Sequence, residues 1–252
     1  MEKQILNTNA PHQSPDISYR SFLVVIRYPK LFSFFGFLSM ALFHLPLAMN
    51  KDIAFYKLMG TGKNGSFDIW PDLSQWSVMV FYKKEKYSTT DFQKLTQKLL
   101  GGFIFNWLRL FKAETRFFHL EPYAGHGTWD NRSFIAQRKT TEESVGKIAV
   151  LTRATISIKG LIPFWKAVPS TSLHLNQQPG FIYSIGIGEV PLIKQATFSI
   201  WSAESDMKAY AYQMRAHQEV IRRTRTEKWY AEEMFLRFKL LEEYSNQKVS
   251  PK

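Results

Sequence analysis

Six histidines and no cysteine set the chemistry open to this 252-residue chain. Without a thiolate there is no disulfide, no iron–sulfur cluster, no cysteine-ligated haem and no zinc knuckle. Histidine, carboxylate and tyrosine remain as ligand types. The most suggestive histidine is His217, in AYAYQMRAHQEVIRRTRTEKWYAEEMFLRF at 209–238. Tyr210, Met214, His217 and Ile221 recur at spacings of four, three and four, which is one face of a helix. Arg215, Arg222, Arg223 and Arg225 crowd around that face, and Trp229-Tyr230 follows. A histidine in such a stripe either sits in a core with its ring nitrogens satisfied or holds a metal such as haem iron, with the arginines neutralising the cofactor's carboxylates. Spacing alone admits both, and buried ordinary histidines outnumber ligands. His126 stands between Gly125 and Gly127 in a segment that reads as a sharp loop, either as a solvated turn residue or as part of a pocket.

The elements that must position these groups are legible as alternating strands and helices. ISYRSFLVVIRY (17–28) is β-branched and aromatic and ends at Pro29, which reads as a strand. The next twenty residues, 31–50, carry no charge. They read as a buried or interfacial helix, with a membrane span as the competing reading. IAFYKLMG (53–60) and WSVMVFY (76–82) read as strands, with the turn residues Lys63-Asn64-Gly65 between them. Thr90-Asp91 opens a helix over 91–100. FIFNWLRLF (103–111) and the FFHLEPYAGHGTWDNRSF that follows (117–134) read as strand or turn. Then KIAVLTRATIS (147–157) is a strand, 161–175 a helix, FIYSIGIGEV (181–190) and QATFSIW (195–201) strands, and Ser205-Asp206 starts a long helix through 238.

The two halves correspond. FYKLMGTG answers IYSIGIG, and WSVMVFYKKEKYSTTDF answers ATFSIWSAESDM, a self-similarity at roughly 130 residues. The expected organisation is α+β: a loose arm at 1–16, a first ferredoxin-like repeat over 17–140 and a second over 141–245 with the C-terminal helices. Two such sheets bury their open faces on each other as an α+β barrel-like body. No apolar run follows Lys3, so no signal peptide is expected.

Composition narrows the partners. Forty-five per cent of residues are hydrophobic, enough for a sizeable core, and 21 Phe, 11 Tyr and 7 Trp suit a pocket for a flat or long apolar ligand as well as plain core filling. The net charge of +12 suits an anionic surface. There is no long Lys/Arg run and no nucleic-acid motif, so a membrane surface or a plain soluble basic protein is the better match than nucleic acid.

Several blocks, FYKLMGTGKNGSFDIWPDLSQW, AVLTRATI, FWKAVP, IGIGEVPLIKQATFSIW and HQEVIRRTRTEKWYAEEMFLRF, resemble the spheroidene monooxygenase family over about residues 18–243. That family installs oxo groups at C-2 of acyclic carotenoids. The resemblance implies a haem-containing monooxygenase that uses dioxygen and electrons from reduced ferredoxin, on a dimeric α+β barrel body. It implies His217 as the iron ligand, Arg222 and Arg223 as partners of the haem propionates, Trp229 beside the cofactor, and His126 or a polar residue on its loop as the distal group. Phe164, Trp165, Trp201 and the 31–49 stretch would line an apolar tunnel for a polyene, with Lys30, Lys51 and Lys57 flanking its entry. Glu227 and Glu232 either orient the arginines or are plain exposed charges. The location this implies is cytoplasmic, peripheral at the inner face of the membrane. A non-catalytic apolar small-molecule binding module on the same body, and a different haem reaction such as dehydration or peroxide chemistry, are the competing functions.

Overall fold

The computed structural model describes residues 18–63, 68, 70–87, 90–135, 145–172, 175–213, 222–224 and 226–246. Eight strands form one closed antiparallel barrel: β1 (Tyr19–Arg27), β2 (Ile53–Gly62), β3 (Pro71–Lys83), β4 (Glu114–Gly127), β5 (Ile148–Ile156), β6 (Phe181–Val190), β7 (Lys194–Trp201) and β8 (Tyr230–Ser245). Around the barrel they run β1-β3-β2-β6-β7-β5-β8-β4, and β4 returns to pair with β1. Within β1–β4 the order is fourth, first, third, second, and β5–β8 repeat it. One seam between the halves is long, β4 against β8. The other is short, Gly60 opposite Gly188 and Thr61 opposite Ile187. Closure gives every strand a neighbour on both sides, although β2 and β6 meet at these two positions alone among the described residues.

Alternation along each strand separates two cores. Leu23, Met79, Phe81, Phe118, Leu151, Phe198, Leu236 and Phe238 fill the barrel interior. Phe22, Val24, Ile26, Val78, Val80 and Phe117 face outward on the first half, beneath the helices α1 (Ser33–Leu42), α2 (His44–Met49) and α3 (Phe92–Leu110). Burial on both faces is why β1 reads as an unbroken apolar run rather than an alternating one. Helix α1 lies close on the sheet: a Cβ at Gly36 would stand 2.8 Å from both Trp76 and Tyr28. On the second half, α4 (Leu161–Ser172) packs Phe164 on Ile156 and Trp229, and α5 (Glu204–Gln213) packs Met207 and Tyr210 on Ile148, Val150 and Trp201.

Three sequence expectations are corrected. The helix expected to run through 238 gives way to a strand: residues 222–224 and 226 are helical, Lys228 adopts φ 50°, and β8 begins at Tyr230. Met234, Leu236 and Phe238 point into the barrel while Phe235 and Arg237 point out, a period of two hidden among helix-forming Glu, Lys and Arg. The stretch 103–111 is not strand or turn but the second part of α3. That helix resumes after Gly101 (φ 78°) and buries Ile104 and Leu108, continuing the spacing of four from Leu100. Gly125-His126-Gly127 is not a sharp loop but the end of β4, in register with β8.

Under α3 the outer face holds one titratable device. The Tyr82 hydroxyl lies 2.6 Å from His119 Nε2, and the His119 ring stacks on Phe92 at 4.3 Å. Burial, with the nearby positive charge of Arg20 second, lowers His119 to about 4, while Glu121 opposes the shift. The unfolded chain therefore takes up a proton near pH 6.5 that the folded chain refuses until about 4. Stability should fall as pH drops through that window, by up to roughly 3 kcal/mol from this group. Urea titrations of His119→Phe should show a flatter slope between pH 6.5 and 4 than the parent chain. An unchanged slope would mean that other groups carry the acid sensitivity.

Candidate functional site

The outer faces of the two halves differ in the size of their side chains. Reading across the first half from β4 to β2, the register aligns Phe117, Val24, Val78 and Leu58. The matching row of the second half, from β8 to β6, is Phe235, Thr152, Thr197 and Gly186. The next row is Arg237, Val150, Ser199 and Ser184. The first face is full and roofed by three helices. The second carries small residues on β5, β7 and β6, with Thr152 exposed, Thr197, Ser184 and Ser199 half-buried and Val150 and Gly186 buried, while Phe235 and Arg237 stand at the β8 side. Aromatic walls stand at both ends of this face. One is Trp201 with Tyr210, ring centroids 5.3 Å apart; the other is Phe164 with Tyr230 and Trp229. Among the described residues this face sets hydroxyls between aromatic edges, a lining of the kind that suits a flat, largely apolar group.

His126 lies on the rim of this face. Its pairing partner is Phe235, and the two rings stack at 5.7 Å. The flanking glycines let β4 close on β8: a Cβ on Gly125 would stand 2.0 Å from the Phe235 carbonyl oxygen, and one on Gly127 2.1 Å from that of Glu233. Gly127 also has φ 83°, a conformation that costs any other residue strain. The exposed His126 ring is thus carried on a rigid strand pair rather than a free loop.

The remaining predicted site residues are distributed as follows. His217 lies outside the described residues. Arg223 donates from Nε to Glu227 at 2.8 Å and places its guanidinium 4.9 Å over the Trp229 ring. Trp229 Nε1 donates to the same carboxylate at 2.7 Å, so Glu227 ties arginine and indole together. Arg223 first, then the indole, holds the Glu227 carboxyl below its ordinary range. Arg222 is exposed beside this group. Glu232 is not near these arginines; it points into the barrel and pairs with Arg153. Phe164 and Trp201 are both buried but belong to separate clusters at opposite ends of β5. Trp165 packs with Phe164 and donates from Nε1 to the Leu192 carbonyl at 3.1 Å. Helices α1 and α2 cover the other half of the barrel. Phe164, Trp165, Trp201 and the 31–49 stretch therefore do not come together as one tunnel.

Two further features escaped sequence reading. Thr152, Thr197 and Gly186 lie in one outward row; the small residues Thr152, Ala154, Thr197 and Ser199 at alternate positions of AVLTRATI and QATFSIW were the available signal. Burial pushes the Tyr230 hydroxyl up to about 12, with Glu233 adding to the shift, so the wall it forms is neutral. Among the described residues no group of three or more His, Asp or Glu could hold a bare metal ion.

No family model matches the chain. It is 33% identical over 204 residues to the spheroidene monooxygenase of Rhodobacter capsulatus, spanning 81% of this chain and 82% of that one. The spheroidene monooxygenases of Cereibacter sphaeroides and Rubrivivax gelatinosus are each 29% identical, over 188 and 184 residues. This chain covers 56% and 67% of their lengths. Among solved structures, aldoxime dehydratase OxdRE in complex with butyraldoxime superposes with a TM-score of 0.60 at 8% identity, over 93% of this chain and 84% of that one. Another aldoxime dehydratase gives 0.53 at 9%, over 88% and 81%. At such identities the likeness is one of fold.

Proposed function

The chain belongs to the spheroidene monooxygenase family, and from that premise we propose that it is a carotenoid monooxygenase acting on an acyclic carotenoid such as spheroidene. In this reading a C–H bond of the polyene is replaced by C–OH, and a second round at the same carbon yields the ketone. Each insertion consumes one dioxygen, two electrons and two protons and releases water. Reduced ferredoxin is the proposed electron source.

Haem is the proposed cofactor, supplying dioxygen activation when bound. The outer face of β5–β8 fits it. Thr152, Thr197 and Gly186 leave a floor without bulky side chains. Trp201 and Tyr210 at one end, and Phe164, Trp229 and Tyr230 at the other, exclude water from the edges of that floor. Arg222 and Arg223 would neutralise the propionates, with Arg223 exchanging Glu227 for the ligand. His217 is the proposed iron ligand on the grounds of sequence alone. His126, held over Phe235 at the rim, would hydrogen-bond a polar ligand entering from that side.

The observation that carries the activity is the identity of 33% across four-fifths of the chain. The test is an absorption spectrum with a pyridine haemochrome assay, followed by incubation with spheroidene, dioxygen and reduced ferredoxin. A stoichiometric Soret band that disappears in His217→Ala, with oxygenated product from the parent chain only, is the expected result. Protein that stays colourless after haem supplementation rules out the cofactor. An intact Soret band in the variant removes His217 as the ligand.

A further inference from the structure

The α1–α2 segment is built inside out for a helix facing water. Its sheet-facing positions include Gly36 and Ser39, both buried. Its outward positions carry Leu31, Phe34, Phe37, Leu45 and Met49, and Phe103 of α3 lies beside them; these six are between 50% and 84% exposed. The spacing follows the helical repeat, so one continuous stripe is apolar. Residues 30–49 are long and apolar enough to cross a membrane by length and composition. Seated on β3 and α3, however, the segment presents only one side. Phe35 stacks on Phe111 at 4.1 Å, and Phe43 meets Trp107 edge-on at 6.2 Å. A helix anchored in this way lies in an interface rather than through it.

Cations mark both ends of the stripe. The Phe35–Phe111 stack brings the start of α1 to exposed Arg109 and Lys112, beside Lys30. At the other end Asn50 donates to the Leu99 carbonyl at 2.9 Å, which places exposed Lys51 near Lys98. Asp52 is an acidic group there, and its charge is engaged by Lys86, with Lys98 at 3.9 Å; Glu85 is exposed beside Lys86. An apolar centre with a basic rim complements a bilayer with anionic headgroups. A second copy of this chain is a poorer occupant, because docking stripe to stripe would bring like charges together at both ends.

We propose that the α1–α2 stripe, with Phe103, inserts into the headgroup region of an anionic membrane and anchors the protein as a peripheral, one-leaflet guest. This surface stands whether or not the chain oxidises a carotenoid. The test is cosedimentation of the full chain with vesicles of phosphatidylcholine containing phosphatidylglycerol, against vesicles of phosphatidylcholine alone. The expected result is partition to the anionic vesicles, reduced but not abolished by high salt. The double substitution Phe34→Glu and Phe37→Glu should lower that partition at least roughly tenfold with an unchanged melting curve, since both positions are exposed. In Phe34→Trp the indole fluorescence should shift to the blue with vesicles and be quenched by brominated lipid. A chain that stays in the supernatant with both vesicle types overturns the proposal. So does a double variant that binds as well as the parent, or a stripe whose substitution only converts a dimer to a monomer on gel filtration.

Discussion

Replacing Arg153 with leucine is expected to destabilise the folded chain by roughly 3–5 kcal/mol, because it strands carboxylates inside the barrel. Arg153 is 1% exposed and points inward from β5. It pairs with Glu232 of β8 and, at 3.3 Å, with Glu189 of β6. Lys57 of β2 reaches Glu189 at 2.7 Å and also pairs with Asp130, which Lys194 of β7 meets at 3.3 Å. The segment after β4 closes over this layer. Thr128 Oγ1 and the Asn131 amide each donate to Glu232 at 2.9 Å, and Trp129 Nε1 donates to Glu189 at 2.8 Å. Burial opposes the charge on Glu232, yet the Asn131 amide, Arg153 and Thr128 together hold its carboxyl below the ordinary range. The stability this gives is present above the ordinary carboxylate range and is lost as pH falls through the lowered value. Urea unfolding at pH 7 reads the loss directly. The double variant Arg153→Leu with Glu232→Leu should recover a large part of it, since paired removal leaves fewer stranded charges. A single-variant loss below about 1 kcal/mol would mean that water already reaches this layer.

The second large effect concerns the floor. If the proposed haem sits on this face, Thr197→Trp should abolish its uptake and lower product formation at least roughly hundredfold, while leaving the melting temperature nearly unchanged. Thr197 is half-buried and faces outward from β7 between Thr152 and Gly186. An indole there would occupy the space that the first half fills with Val78. Tryptophan suits a strand, so the barrel should tolerate it. Thr197→Ser serves as the control, keeping the hydroxyl and the room. A Thr197→Trp protein with full cofactor content and activity would remove this face from the site, whatever the spectrum of the parent shows.

The sequence by itself determined the local parts of this protein. Six of the eight strands lie in β-branched or aromatic runs that needed no partner to be recognised, and the family was legible in blocks such as AVLTRATI and IGIGEVPLIKQATFSIW. The α+β class followed from their alternation with amphipathic stretches. What tertiary structure decided were the features whose cause lies far along the chain. β8 is a strand because β4 and β5 offer it hydrogen bonds on both sides, against the helical bias of its charged residues. Gly125 and Gly127 read locally as a turn but serve a close approach to β8 carbonyls more than a hundred positions away. The partners of Arg153 are 36 and 79 residues distant, so no window of sequence pairs them. The candidate site is of the same kind. Thr152, Thr197 and Gly186 are unremarkable small residues one at a time; only closure of the barrel fixes which side of each strand faces out, and so gathers them into one row.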